Sequence, residues 1–150
     1  KLFGIGPVLF LISLMLLGLL WLIDKELHHA EILSQPRPLR IIGLIFIGLW
    51  IGWHLWCIQT IRLWWHEGRL CTTGPFHFVR HPMYAGGIFL AGLGIPLMFN
   101  SWIALLWPIL AFPVYSVLVG KEEKTMTAIF GEEYRRYAAR TGRLFPRIFK

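Results

Sequence analysis

The chain consists of long apolar runs separated by short polar segments. Two of these runs, 2–23 and 41–61, contain no Asp, Glu, Lys or Arg. Each is close to the ~20 residues that a helix needs to span the hydrocarbon core of a bilayer. A third run without such charges covers 81–120, which is about twice the spanning length, so it must fold back on itself. Asn100 and Ser101 offer turn and helix-capping chemistry and predict where the fold-back occurs.

This pattern predicts an all-α integral membrane protein with one domain over 1–150. The four predicted transmembrane helices cover about 2–23, 41–61, 82–98 and 101–120. We interpret the first run as a span and not as a signal peptide, because it is too long for such a peptide and no small-residue cleavage site follows. Over 121–141, apolar residues recur at helical spacings, which predicts an amphipathic helix on the cytoplasmic membrane surface. Gly131 weakens this helix and predicts a bend within it.

Composition and charge support a membrane location and suggest an orientation. Hydrophobic residues make up 56% of the chain and charged residues 15%, against about 25% charged in an average soluble domain. Most of the 15 Lys and Arg lie at position 1, in 62–81 and in 121–150, so the positive-inside rule places both termini in the cytoplasm. We expect the membrane to be a bacterial inner membrane. The net charge of +7 then faces anionic lipid headgroups, and no nucleic-acid-binding module is visible. The oligomeric state stays open.

Several isolated histidines and cysteines favour structural roles. His54 lies inside the second predicted span, where a neutral hydrogen-bonded imidazole is expected, although a haem site using His54 and His66 is an alternative. The adjacent pair His28-His29 is expected to be solvated, since neighbouring residues point to different helix faces and no third metal ligand has suitable spacing. Cys57 and Cys71 form no CxxC motif and are expected to be packing residues. The sequence predicts no metal site.

Ionisable residues gather where the third and fourth predicted spans meet the cytoplasm. Arg80, His81 and Tyr84 stand at the start of the third span, and Glu122 and Glu123 follow the fourth. The two spans form an antiparallel hairpin, so these ends must be close. Charges at this depth need partners. The residues predict either an ion pair between Arg80 and one carboxylate, which ties the helices together, or a site for a cationic small molecule.

Two motifs in this region resemble a known family. The first is Gly-Pro-Phe-x-x-x-Arg-His-Pro-x-Tyr-x-Gly over 74–86, and the second is Glu-Glu-x6-Phe-Gly-x-Glu-Tyr-x-x-Tyr over 122–137. Their order and spacing around a helical hairpin resemble the isoprenylcysteine carboxyl methyltransferases and the wider group of phospholipid methyltransferases. The resemblance covers about 68–146.

The resemblance implies a membrane methyltransferase that uses S-adenosylmethionine without a Rossmann domain and modifies a lipophilic or amphiphilic acceptor. It implies catalytic roles for His81, Tyr84 and Arg80. The cofactor-binding residues that it implies are Gly68, Arg69, Leu70, Cys71, Phe76, His81, Pro82, Met83, Tyr84, Glu122, Glu123, Tyr134 and Tyr137. Glu122 would pair with the ammonium group of the cofactor, and Tyr134 and Tyr137 would fold over it as a lid.

One position departs from the pattern of the isoprenylcysteine enzymes. Leu118 stands where they carry an arginine that handles the substrate carboxylate. An acceptor without a fixed carboxylate, such as a lipid amine, a thiol or a small amphiphile, is therefore favoured. Two other classes of function remain: a nicotinamide-dependent membrane reductase of the sterol-reductase type, and a non-enzymatic membrane adaptor or haem-binding protein.

Overall fold

The structure, a computed structural model, describes residues 4–65 and 67–147, and its regular secondary structure there is entirely helical. The helices are α1 (Gly6–Glu26), α2 (Arg37–Trp65), α3 (Pro75–Phe78), α4 (Pro82–Phe99) and α5 (Leu106–Arg140). Three of them, α1, α2 and α4, are long and apolar enough to cross a membrane. Large apolar side chains are exposed on their outer faces, among them Phe10, Met15 and Leu44. Such faces need a lipid environment, and they indicate an integral membrane protein.

The second helix is longer than the sequence predicted. It begins at Arg37 and ends at Trp65, whereas the prediction was 41–61. Pro38 lies in the first turn of α2. A proline is accommodated there because the first N–H groups of a helix have no partner within it.

The fourth predicted span and the predicted surface helix are parts of one helix. The chain makes a turn over 102–105, and α5 then runs from Leu106 past Lys121 to a kink at Gly131 and continues to Arg140. The helix does not end at the predicted boundary between 120 and 121, because Lys and Glu are good helix formers and continue it. The predicted bend is confirmed at Gly131, whose φ of 54° and ψ of −123° are non-helical. The uncharged part of α5, 106–120, is shorter than the ~20 residues of a typical span, so a fourth span stays a prediction.

The helices pack with α4 between α2 and α5, while α1 packs against α5. At the contact between α2 and α4 the backbones nearly touch. A Cβ atom added to Gly43 would lie 2.6 Å from the backbone nitrogen of Met98 and 2.7 Å from the carbonyl oxygen of Gly94. Small residues permit this approach in membrane helices. Within α4 the segment Gly87–Ala91 is a π-helix, a form often found at functional sites.

The main apolar core joins α1, α4 and α5. Its buried residues are Leu9, Leu20, Val79, Ala85, Ile88, Trp107, Ala111, Tyr115 and Leu144. A second cluster, formed by Cys57, Cys71 and Phe76, lies between α2 and the loop before α4. Both cysteines are buried free thiols, so their predicted packing role is confirmed.

The turn between α4 and α5 confirms the predicted fold-back. Asn100 ends α4 in the left-handed conformation (φ 57°, ψ 39°), and its side chain pairs with the backbone N–H and carbonyl of Leu33 at 3.0 and 2.8 Å. The Ser101 hydroxyl oxygen accepts a bond from the N–H of Ala104 at 3.1 Å. The hydroxyl also donates to Asp24 at 2.8 Å, which ties the end of α1 to this turn.

The isolated histidines occupy different environments. His28 and His29 are exposed, as expected, but His29 Nδ1 lies 2.5 Å from the buried Asp24 carboxylate. His54 is half-buried beside Trp50, with a ring separation of 5.6 Å, and its Nδ1 atom has no hydrogen-bond partner among the described residues. The expected hydrogen bond of His54 is thus wrong for that nitrogen. His66 lies outside the described residues.

Candidate functional site

The motif residues that precede α4 are held in place by the returning carboxyl-terminal tail. Val79 and Gly142 form an isolated β-bridge. The backbone N–H of Arg80 donates to the carbonyl of Gly142 at 2.8 Å, and that of His81 donates to the carbonyl of Arg143 at 3.1 Å. The sequence favours this extended geometry, because His81 precedes a proline and is thereby disfavoured in the helical region. Pro82 then begins α4.

Glu123 is the centre of an ion-pair network. Arg80 Nε donates to Glu123 Oε1 at 2.7 Å, and Arg143 donates to Oε2 from Nε at 2.9 Å and from Nη2 at 2.6 Å. The side chains of Arg80 and Glu123 are each only 12% exposed. Arg80 Nη1 also donates to the carbonyls of Ala138, at 2.7 Å, and of Thr141 at the end of α5. The network therefore joins the loop before α4, the middle of α5 and the tail.

This network holds Glu123 in its charged form. Burial raises the pKa of the Glu123 carboxyl, but the nearby His81 ring and the hydrogen bonds from Arg143 and Arg80 outweigh burial and lower the pKa to about 2. His81 Nε2 lies 3.5 Å from Oε1, so a third basic side chain faces the same carboxylate. The sequence left open whether these residues form an ion pair with Arg80 or a site for a cationic small molecule. The structure contains the ion pair, and it joins Arg80 to Glu123.

Glu122 has a different environment, although it is the next residue. Tyr84 donates its hydroxyl to Glu122 Oε2 at 3.1 Å, and His81 Nδ1 lies 3.8 Å from the same oxygen. No lysine or arginine in 4–65 or 67–147 pairs with Glu122, whose side chain is 22% exposed. The His81 ring stacks on Tyr84 at 5.7 Å, and Tyr115 meets Tyr84 edge-on at 5.9 Å. Glu122 is thus a partly exposed carboxylate beside the stacked rings of His81 and Tyr84.

Two tyrosines of α5 lie against the loop that carries the first motif. The Tyr137 hydroxyl donates to the carbonyl oxygen of Phe76 at 2.6 Å. Tyr134 is buried, its ring lies 6.1 Å from that of Tyr137, and its hydroxyl has no partner among the described residues. Burial and the nearby Glu123 raise the pKa of Tyr134 to about 12, and burial also raises the pKa of Tyr137. Both phenols therefore stay protonated at neutral pH.

The remaining predicted cofactor residues are spread over two places. Met83 packs on the cluster that contains Cys71 and Phe76, and burial raises the pKa of the Cys71 thiol. Leu70 is buried, and the Pro82 carbonyl accepts a hydrogen bond from Trp53 at 2.7 Å.

Gly68 and Arg69 lie at the exposed end of the loop. Gly68 adopts the left-handed conformation with φ of 61°. Arg69 contacts Glu67 at 3.1 Å and the Trp64 ring at 5.0 Å. The recorded contacts of Arg69 are thus local and do not reach Glu122 or Glu123, so the assignment of these two residues to a cofactor stays a prediction.

Sequence reasoning missed three contributors to the site. Arg143 lies within the range that the resemblance covers but was not predicted as a site residue, yet it makes two of the bonds to Glu123. Tyr115, on α5, packs edge-on against the Tyr84 ring. Gly4 lies directly against the Glu122 carboxylate. A lone glycine ahead of an apolar run carries no signal of such a contact, because the contact depends on how α1 packs.

Two clefts open beside the network. One, of about 440 Å³, is lined by polar groups of α5 such as Lys124, Thr127 and Arg135 together with Glu123. The other, of about 410 Å³, places Arg80 and Arg143 next to Phe112 and Phe145. The charged network thus borders both clefts, and Arg143 lines each of them.

Comparison with known proteins identifies the family. The fold and the apolar helices define an integral membrane protein with a polar site at one end of α4. The chain matches the family model described as phospholipid methyltransferase over residues 39–133, and it belongs to that family. The matched range contains both glutamates and excludes α1. The resemblance inferred from the two motifs is therefore confirmed.

Three curated relatives are similar to parts of the chain. The cobalt-zinc-cadmium resistance protein CzcN of Cupriavidus metallidurans is 31% identical over 115 residues, which cover 73% of this chain and 50% of that protein. The nickel-cobalt-cadmium resistance protein NccN of Alcaligenes xylosoxydans is 30% identical over 115 residues, covering 73% and 51%. The protein-S-isoprenylcysteine O-methyltransferase of Schizosaccharomyces pombe is 29% identical over 80 residues, covering 53% and 34%. The chain thus spans about half the length, or less, of these relatives. The family and the last relative support a membrane methyltransferase.

Proposed function

We propose that this protein is an S-adenosylmethionine-dependent methyltransferase that acts on a lipophilic or small amphiphilic acceptor in the bilayer. The observation that carries the proposal is the contrast between its adjacent glutamates, in a chain of the phospholipid methyltransferase family. Glu123 forms ion pairs with two arginines, whereas the partly exposed carboxylate of Glu122 lies beside Tyr84 and pairs with neither of them. The two residues therefore have separate roles: Glu123 holds the site together and Glu122 binds the ligand.

The residues around Glu122 fit the cationic groups of this cofactor. An accessible carboxylate forms a charge-assisted bond with an ammonium group, and such bonds are about twice as strong as neutral ones. The Tyr84 ring stands next to that carboxylate, and the negative face of a tyrosine ring attracts cations. When bound, the cofactor supplies an electrophilic methyl group on a sulfonium centre. Glu122, Tyr84 and His81 are the residues that we expect to hold it.

The remaining task of the protein is to position groups and to move a proton. Methyl transfer requires the acceptor atom to be close and aligned, and holding two reactants in this way removes much of the entropic barrier. An amine acceptor must also lose a proton, and His81 is our candidate base, with Tyr84 as its stacked partner. Arg80 acts differently, because its bonds go to Glu123 and to the end of α5. We therefore assign Arg80 a positioning role.

The surroundings of the site favour an apolar acceptor. Leu118, in place of the arginine of the isoprenylcysteine enzymes, packs with Tyr84 against the main apolar core. A fixed carboxylate would find no cationic partner at Leu118, so a lipid amine, a thiol or a small amphiphile fits better. Such an acceptor would enter from the bilayer, while the cofactor would enter from the cytoplasm, where we place both termini. The membrane would be a bacterial inner membrane.

Calorimetric titration of the detergent-purified protein tests this function. We expect saturable binding of S-adenosylhomocysteine and none of NADPH. Replacement of Glu122 by glutamine keeps the side-chain shape but removes the charge, and it should weaken binding at least about tenfold, the effect of losing one bond to a charged group. Glu132→Gln is the matched control, because Glu132 is on the same helix and 66% exposed.

Other results of the titration would contradict the proposal in distinct ways. Full binding to the Glu122→Gln variant would refute the site, although the function could stand. Binding of NADPH instead would favour the reductase class. A Soret band in the purified protein would favour a haem-binding protein.

A further inference from the structure

The first helix contributes to the site, although it lies outside the range that matches the family. Gly4, two residues before α1, lies so close to Glu122 that a Cβ atom added there would clash with Oε1 and lie 3.3 Å from Cδ. At Gly6, an added Cβ atom would lie 3.6 Å from the Tyr84 hydroxyl, which is an ordinary van der Waals contact. The amino-terminal segment thus lies across both members of the Tyr84–Glu122 hydrogen bond.

The position of this segment is held by the packing of α1. Leu9, one turn into the helix, is 1% exposed in the main core. Further along, Ser13 shares a hydrogen bond of 2.7 Å with the hydroxyl of Tyr115, and its carbonyl accepts one from Trp107 at 3.3 Å. A shift of α1 away from Glu122 would disturb these buried contacts. The clash made by a side chain added at position 4 would therefore be relieved by movement of the Glu122 carboxylate.

The backbone at Gly4 does not itself require glycine. The glycines with positive φ among the described residues are Gly68, Gly74 and Gly131. An alanine at position 4 therefore introduces no left-handed strain, and its effect must pass through the atoms that its methyl group meets. The nearest of these atoms belong to the Glu122 carboxylate.

We propose that Gly4 is a positioning residue of the site, because the absence of a side chain there lets the Glu122 carboxylate stand beside Tyr84. An alanine would push the carboxylate away from the Tyr84 hydroxyl and away from the place where a cation binds. The effect on ligand binding rests on the proposed function. The coupling between Gly4 and Glu122 is independent of it.

A double-mutant cycle on the full chain tests this role. We expect Gly4→Ala to weaken S-adenosylhomocysteine binding about tenfold to a hundredfold, the size expected from losing one bond to a charged group. Glu122→Asp withdraws the carboxylate by one methylene, so Gly4→Ala in that background should change binding less than about twofold. Gly18→Ala, where an added Cβ atom meets nothing within 4 Å, is the control and should bind as the wild type does.

Thermal unfolding of the ligand-free protein provides a second readout of the same cycle. Gly4→Ala should lower the midpoint by about 2–4 °C, the shift expected from losing one hydrogen bond in a chain of this size, and should leave it unchanged in the Glu122→Asp background. Equal effects of Gly4→Ala in the two backgrounds, or no effect in either, would overturn the proposal. If the wild type binds no S-adenosylhomocysteine, the proposed function fails, and the unfolding cycle alone decides the role of Gly4.

Discussion

The separate roles of the two adjacent glutamates can be tested by making the same substitution at each. Glu123→Gln keeps the volume of the side chain but removes the charge that Arg80 and Arg143 share. We expect this variant to lose much of its stability. Glu122→Gln removes a charge that pairs with no lysine or arginine among the described residues and leaves an oxygen that can accept the Tyr84 hydroxyl bond, so we expect it to stay folded.

Two arguments give the size of the loss at Glu123. The carboxyl has a pKa of about 2 in the folded protein. A glutamate in an unfolded chain has a pKa of about 4.3, and a difference of this size corresponds to about 3 kcal/mol of stability. Independently, removing one partner from a buried ion pair costs about 3–5 kcal/mol, because the other charge is left buried without compensation. The arguments agree on a loss of about 3 kcal/mol in the free energy of unfolding.

The loss at Glu122 should be much smaller. Glu122 accepts a single hydrogen bond, from the Tyr84 hydroxyl at 3.1 Å, and its side chain is 22% exposed. Such a bond contributes about 0.5–1.5 kcal/mol, and a glutamine oxygen can still accept it. We therefore expect the free energy of unfolding of Glu122→Gln to lie within about 1 kcal/mol of the wild-type value. A larger loss of unfolding free energy at Glu123 than at Glu122, its neighbour on the same helix, would exclude a general effect of removing negative charge from α5.

Equilibrium unfolding in mixed micelles with a rising fraction of sodium dodecyl sulfate is a suitable assay, followed by the fluorescence of the chain's 8 tryptophans. Glu132→Gln is an added control, because its ion pair with Arg135 is exposed and contributes at most about 1 kcal/mol. If Glu123→Gln and Glu122→Gln unfold with the same free energy, the reasoning is refuted, since the ion-pair network would then not stabilise the fold.

Two further predictions follow from the same structure. Because the folded pKa of Glu123 lies below its unfolded value, its contribution to stability is complete above about pH 4.3 and is lost as the pH falls towards 2. Unfolding followed between pH 6 and 2 should show this loss in the wild type, and an equal pH dependence in Glu123→Gln would contradict it. At the contact between α2 and α4, Gly43→Ala places a methyl group 2.6 Å from the backbone of Met98, so we expect a loss of about 1–3 kcal/mol from overpacking. Gly48→Ala, which meets nothing within 4 Å, is the control in the same unfolding assay, and equal losses in the two variants would refute the close contact.

The sequence determined the features that depend on local composition. The spans α1, α2 and α4 follow from apolar runs, the fold-back follows from Asn100, and the bend follows from Gly131, since each depends on residues adjacent in the chain. The two motifs also placed Arg80, His81 and Tyr84 near Glu122 and Glu123. That prediction required only that a hairpin of helices brings its two ends together.

The tertiary structure alone decided how these residues divide their roles. Neighbouring residues on a helix point about 100° apart, so the rotation of α5 determines whether Glu122 or Glu123 faces the arginines. That rotation is set by packing against α1 and α4, which no short stretch of sequence encodes. The approach of Gly4 to Glu122 has the same origin, because it joins residues far apart in the chain. Local pattern specifies which segments form helices, and the packing of their faces specifies which side chains meet.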